Sequence, residues 1–213
     1  MAIVFQHDFE DNSLATWTGL GSVAPTIVTS PVYEGSRALR CLTSAQNVQL
    51  QKTFTADNTL GCKFAVRRIH AVDEAGILFR VTNTDGTRKI QVQNISDALN
   101  LRYDIGAGDV TIDTGPTFTQ NQWFLVDLRV NISANPWAFG WKVDGIDQGD
   151  FTVADAATTF DRIDIGTFGF DMNWETAMDK IMVSDEFAYI VETAGVRNMD
   201  KSRFPKAKLR VAV

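Results

Sequence analysis

The sequence predicts an all-β fold, a two-sheet antiparallel sandwich, and three observations carry that reading. Apolar residues recur at every second position through most of the 213-residue chain, the period of a strand with one buried face. Turn-forming pairs such as Asp85-Gly86 and Asp144-Gly145 separate these runs, because glycine supplies the positive φ that a tight hairpin needs. No run has the length and 3.6-residue period of a core helix, and Val153 to Ala157 has room only for a short one.

Taken in order, residues 3–9 (IVFQHDF) form a first strand, closed by the acidic and turn-forming residues Glu10 to Ser13. Leu14 to Trp17 follows, then the glycine-rich Gly19 to Gly21 and one short strand before Pro31. A Glu34-Gly35 turn feeds a strand that carries Ala38, Arg40 and Leu42 on one face. Val48, Leu50 and Phe54 alternate with polar residues, and Leu60, Cys62, Phe64 and Val66 repeat the pattern after Asp57-Asn58. Ile77, Phe79 and Val81 are expected to pair with Ile90 and Val92 through Asn83 to Gly86. Leu99, Leu101, Tyr103 and Ile105 make the next strand, and Val110 and Ile112 begin another that ends at Gly115-Pro116.

The longest patterned stretch runs from Trp123 to Asp150. Phe124, Val126, Leu128, Val130 and Ile132 form one face of a strand, Phe139, Trp141 and Val143 one face of the next, and Asp144-Gly145 turns the chain back. Phe160 to Phe170 and Ala177 to Tyr189 supply the last strands, about a dozen in all by this count.

Twenty basic against 26 acidic residues give a net charge of -6, which argues against nucleic acid as a partner. No basic n-region followed by an apolar run opens the chain, so a secretory signal is not expected, and no stretch is long and apolar enough to span a bilayer. Cys41 and Cys62 are therefore expected as free thiols in or near the core. His7 and His70 are the only histidines, too few for a histidine-based metal centre or triad. His7 alternates with Phe5 and Phe9 and is expected half-buried. The reading is of a protein with no catalytic residues.

A tryptophan that opens a long amphipathic strand, followed about twenty residues later by V-D-G at a hairpin, resembles the concanavalin A-like, laminin-G-like jelly roll. Hydrolases of the laminarinase type on that fold carry E-x-D-x-x-E along one strand, which places two catalytic carboxylates about 5 Å apart. That spacing does not occur here. The segments FEDNSLATW, VYEGSRALR and AMDKIMVSD resemble the opening, second-strand and closing motifs of carbohydrate-binding β-sandwich modules. In that family a glutamate, carbonyls at a Gly-Ser turn and an aspartate on the last strand hold a structural calcium, and these positions fall on Glu10, Gly35 and Asp179. The family's second aspartate is Lys180 in this chain, so a plain acidic turn with an ion pair is the alternative.

Sugar-binding modules stack pyranose faces on exposed aromatic rings with amides alongside. Trp137 with Asn135, and Trp174 with Asn173 beside Asp171, are the loop candidates. Trp123 and Trp141 lie on patterned strands and are expected in the core, and Trp17 resembles the family's buried opening tryptophan.

Composition changes at Glu192. Residues 192–213 carry Arg197, Lys201, Arg203, Lys206, Lys208 and Arg210 against Glu192 and Asp200, a charge of +4 that leaves -10 on the remainder. The chain divides into a sandwich domain, 1–191, and a basic C-terminal arm, 192–213. The arm is either a solvated tail or a docking segment, in which Phe204 and those six basic residues would contact a partner. The body also resembles laminin-G-like structural proteins of bacteriophages. That resemblance implies a virion protein, assembled in the host cytoplasm as a homo-oligomer with other virion proteins, in a capsid decoration, tail or fibre. A carbohydrate-binding module for a surface glycan is the first alternative, and a polysaccharide hydrolase or lyase the second.

Overall fold

The computed structural model describes residues 2–20, 22–42, 47–69, 76–168 and 175–190. His70, Asn173, Trp174 and the whole of the 192–213 arm lie outside the described residues.

Fifteen strands among the described residues form two sheets in which every strand pairing is antiparallel. The front sheet runs β13 (Ile146–Val153), β12 (Trp137–Val143), β11 (Trp123–Asn131), β6 (Thr59–Arg68), β15 (Glu175–Ser184), β4 (Ala38–Leu42), β3 (Thr26–Val28), and β1 (Ile3–His7) also pairs with β15. The back sheet runs β10 (Val110–Thr117), β9 (Ala98–Asp104), β8 (Lys89–Ile95), β7 (Gly76–Thr82), β14 (Phe160–Phe168), β5 (Val48–Asp57), β2 (Gly19–Leu20). The predicted two-sheet sandwich is the fold observed.

Strand alternation dictates the core. Phe124, Val126, Leu128 and Val130 of β11 are buried, and so are Phe139, Trp141 and Val143 of β12, while the residues between them face outward. From the back sheet, Phe79, Val81, Ile90, Val92, Leu99 and Leu101 meet them. Phe64 of β6 stacks on Phe79 of β7 with ring centroids 4.5 Å apart, so one pair ties the two layers together. The hairpin registers match the sequence pattern: Val81 faces Ile90 and Phe79 faces Val92. At the β12–β13 turn, Asp144 and Gly145 have φ of 53° and 78°, the two positive values this short hairpin demands.

Ala38, Arg40 and Leu42 share one face of β4 as expected; it is the outer one, with Leu42 exposed, while Leu39 and Cys41 supply the core. Two local expectations are corrected. Trp123 is half-buried on the outer side of β11, its ring edge-on to Tyr33 at 5.6 Å, rather than in the core. No helix forms at Val153 to Ala157. Val153 ends β13, paired with Trp137, and the residues after it are used for tertiary contacts: Asp155 accepts from Arg88 at 2.7 Å, and the Ala156 carbonyl accepts from Trp137. Cys41 and Cys62 are free and buried, as expected of core thiols, and burial pushes both up to about 12.

Candidate functional site

Glu10, Gly35 and Asp179 lie far apart in sequence and come together in the fold, around the turn at residues 33–37. Gly35 has φ of 76°, and a Cβ there would collide with the Glu10 carboxylate, so the turn closes on that side chain only because glycine occupies it. The Ser36 and Arg37 N–H groups donate to Glu10 Oε1 at 2.7 and 2.9 Å, and the Ser36 hydroxyl donates to Oε2 at 2.6 Å. On the opposite side of the same turn, the Tyr33 and Glu34 N–H groups donate to Asp179 Oδ2 at 3.2 and 3.1 Å, and the Lys180 N–H donates to Oδ1 at 2.7 Å. The pairing of β15 with β6 slips between Asp179 and Met182, and Lys180 has φ of 54° within that slip. This bulge turns the Lys180 ammonium onto Glu34 Oε2, at 2.5 Å.

The two carboxylates have opposite electrostatics. Burial pushes the Glu10 carboxyl up, but the Ser36 and Arg37 hydrogen bonds more than reverse it and leave it below the ordinary carboxylate value. Asp179 is buried, and desolvation outweighs its three N–H bonds; with the like charge of Glu10 added, its carboxyl is pushed up to about 7.

Calcium takes six to eight oxygen ligands. The donors that approach these two carboxylates are N–H groups and a hydroxyl, and among the described residues no group of three His, Cys, Asp or Glu is placed to hold a metal. Glu10, Gly35 and Asp179 here make a hydrogen-bonded clasp, with Lys180 and Glu34 supplying the ion pair. Excess calcium or EDTA should leave the melting temperature unchanged. A rise on adding calcium, which mass action requires of an ion that binds the folded state alone, would return the site to the cation reading.

The sugar-stacking expectation for Trp137 is corrected. Its ring is fully buried, edge-on to Phe160 at 6.0 Å, and its Nε1–H donates to the Ala156 carbonyl at 2.9 Å. Asn135 is exposed in the loop before it, without an aromatic platform from that residue. The partner candidate pair, Trp174 and Asn173, falls outside the described residues.

The outer faces of the two sheets differ. Across the front sheet, residues 185–190 lie as a strap. Lys63 Nζ donates to the Ile190 carbonyl at 2.7 Å, the Arg129 guanidinium sits 5.0 and 4.7 Å from the Phe187 and Tyr189 rings, and Lys142 Nζ is 4.1 Å from the Tyr189 ring. Gly61 and Gly140 flank Arg129 in register; a side chain at Gly61 would run into the strap at the Ala188 carbonyl, and one at Gly140 into the Asp150 carboxylate and the Tyr189 hydroxyl. The outer face of the back sheet carries a row of hydrogen-bonding side chains that reading the strands singly did not reveal. Register places Gln51, Asp164, Arg80, Gln91, Arg102 and Thr111 side by side on six adjacent strands. Arg80 grips Asp164 Oδ2 through Nε and Nη2 at 2.8 and 2.6 Å, and Arg102 Nη1 donates to Gln93 at 2.7 Å. The available signal was the polar residue between each pair of core positions. Only strand register lines those residues up.

No protein-family model and no curated relative matches the sequence. Among solved structures, the chain is similar to the cellulose-induced protein Cip1, with a TM-score of 0.66 at 12% identity, covering 85% of this chain and 97% of that one. A carbohydrate esterase from the Shiga toxin-encoding bacteriophage phi24B gives a TM-score of 0.65 at 14% identity over 87% and 99% of the two chains. The receptor-binding domain of botulinum neurotoxin type G gives 0.65 at 11% identity; it covers 88% of this chain, which spans only 49% of that domain. These likenesses establish the sandwich fold. Most of the neighbours are named as binding domains, and one is named as an esterase.

Proposed function

We propose that this chain is a non-catalytic structural protein of a bacteriophage particle, with the sandwich as its body and residues 192–213 as the arm that docks on other virion proteins or on a second copy. The observation that carries this reading is the strap. It leads the chain over the front sheet and holds the Ile190 carbonyl there, directly before the sequence turns from acidic to basic. An arm of charge +4 beside a body of charge -10 suits contact with a neighbouring acidic body in an assembly made in the host cytoplasm. The likeness to a phage-encoded protein, over 87% of this chain, supports it.

A chain that ends at Val191 should melt at the same temperature as the whole protein yet fail to enter particles, and light scattering should show it at a lower mass wherever the whole chain self-associates. Incorporation of the shortened chain at the level of the whole one would remove the docking role from the arm.

A second reading, a carbohydrate-binding module, is favoured by the hydrogen-bonding row on the back sheet. Such a row suits a hydroxyl-rich ligand laid across the strands. The two readings are compatible, since a particle protein can also bind a surface glycan.

A further inference from the structure

Gln91 occupies the centre of the back-sheet row, and its environment is unusual. Its chain neighbours Ile90 and Val92 are in the core, so its own side chain points to the outer face. It is nonetheless fully buried there, closed over by its neighbours, and both its amide nitrogen and its amide oxygen lack a hydrogen-bond partner. An amide sealed from water with neither atom satisfied is costly, and such groups persist where something other than stability retains them. The adjacent Arg102 also has its Nε–H buried and unpartnered. Arg80 and Arg102, directly opposite Gln91 on the two flanking strands, have side chains 18% and 19% exposed, so the row meets solvent on both sides of the buried amide.

The unused groups define the ligand. Gln91 Nε2 and Arg102 Nε are donors, and Gln91 Oε1 is an acceptor. Arg80, Arg102, Arg162 and Lys89 outnumber their ion-pair partners Asp164, Asp109 and Asp104 by one, so this part of the face carries a slight positive excess on an acidic protein. A ligand that fits must offer anionic oxygen for the donors and a hydroxyl for the amide oxygen. At about 4.8 Å per strand the six-strand row is about 24 Å long, which suits an extended chain rather than a single small molecule.

Building on the carbohydrate-binding reading, we infer that the outer face of the back sheet is a binding site for a carboxylated polysaccharide, with Gln91 and Arg102 contacting the sugar acid at its centre. A uronic-acid chain supplies carboxylate and hydroxyl oxygens on every residue, and a neutral glucan supplies only hydroxyls.

The test uses the full-length protein with polygalacturonate, neutral dextran and dextran sulfate as probes, each measured by calorimetry or affinity electrophoresis, alongside Gln91→Leu. Leucine keeps the volume and removes both unsatisfied atoms, so the variant should melt at the same or a higher temperature and bind polygalacturonate at least roughly tenfold more weakly. Gln91→Met serves in the same way if the branched side chain does not pack. Preferential binding of polygalacturonate that both changes weaken establishes the site. Equal binding of dextran, or a stronger grip on dextran sulfate, overturns the carboxylate assignment while leaving a glycan-binding module in place. Polygalacturonate binding untouched by Gln91→Leu and Gln91→Met places the site elsewhere. No binding to any of the three overturns both this inference and the reading beneath it.

Discussion

Trp137→Ala should lower the melting temperature by about 10 °C or more, rather than silently remove a ligand contact. The indole is fully buried against Phe160, and the truncation leaves a cavity between the sheets, which for tryptophan typically costs about 3–5 kcal/mol. It also strips the Ala156 carbonyl of the indole N–H that satisfies it. In a domain of this size each kcal/mol moves the midpoint by about 2–4 °C. Asn135→Ala, two residues away and exposed, is the matched control and should change the midpoint by less than about 2 °C. A Trp137→Ala protein that melts like the parent and loses affinity for a glycan would falsify the core assignment.

Stability should fall as pH rises from about 4 to 7 through Asp179, and Asp179→Asn should flatten that slope. The folded-state carboxyl is raised from 3.8 to about 7, so the folded protein holds this proton across a range where the unfolded chain has released it. Its contribution, about 4 kcal/mol, is complete below pH 4 and gone once the pH passes the folded value. His7 acts in the opposite sense. Burial lowers its imidazole below 6.5 despite Asp11 nearby, so its contribution is present above 6.5 and lost as pH falls. The parent therefore shows the sum of two opposed slopes, and the difference between parent and Asp179→Asn melting curves isolates the Asp179 part. Parallel curves between pH 4 and 8 would mean that Asp179 is ionised throughout and that the clasp carries a compensating charge.

The strands, their faces and several registers were legible in the sequence because a half-buried strand writes its own signature. Phe124, Val126, Leu128 and Val130 of β11 and Phe139, Trp141 and Val143 of β12 take their core positions from alternation, and the Asp85-Gly86 and Asp144-Gly145 turns pin their hairpins by the φ values they need. Trp137 shows the limit. It stands at the end of a loop beside Asn135, where local sequence suits a ligand platform equally well, and only the packing of β14 against the β12 side of the core makes it a buried ring.

The clasp was half legible. Motif resemblance brought Glu10, Gly35 and Asp179 together, but the choice between carbonyl oxygens and N–H groups facing the carboxylates belongs to backbone geometry at residues 33–37, which no residue type announces. The back-sheet row was not legible at all. Gln51, Arg80, Gln91, Arg102 and Thr111 each look like an ordinary outward polar residue, and their alignment is a property of six strands in register.

By itself, then, the amino-acid sequence determined the period-2 pattern, the hairpin turns, the all-β class and the change of charge at residue 192, because these depend on neighbours along the chain. The tertiary structure alone decided which polar residues share a face, which tryptophan is sealed, and which carboxyl burial pushes up. Those outcomes depend on desolvation and on partners brought from distant strands, and both exist only once the two sheets have closed on each other.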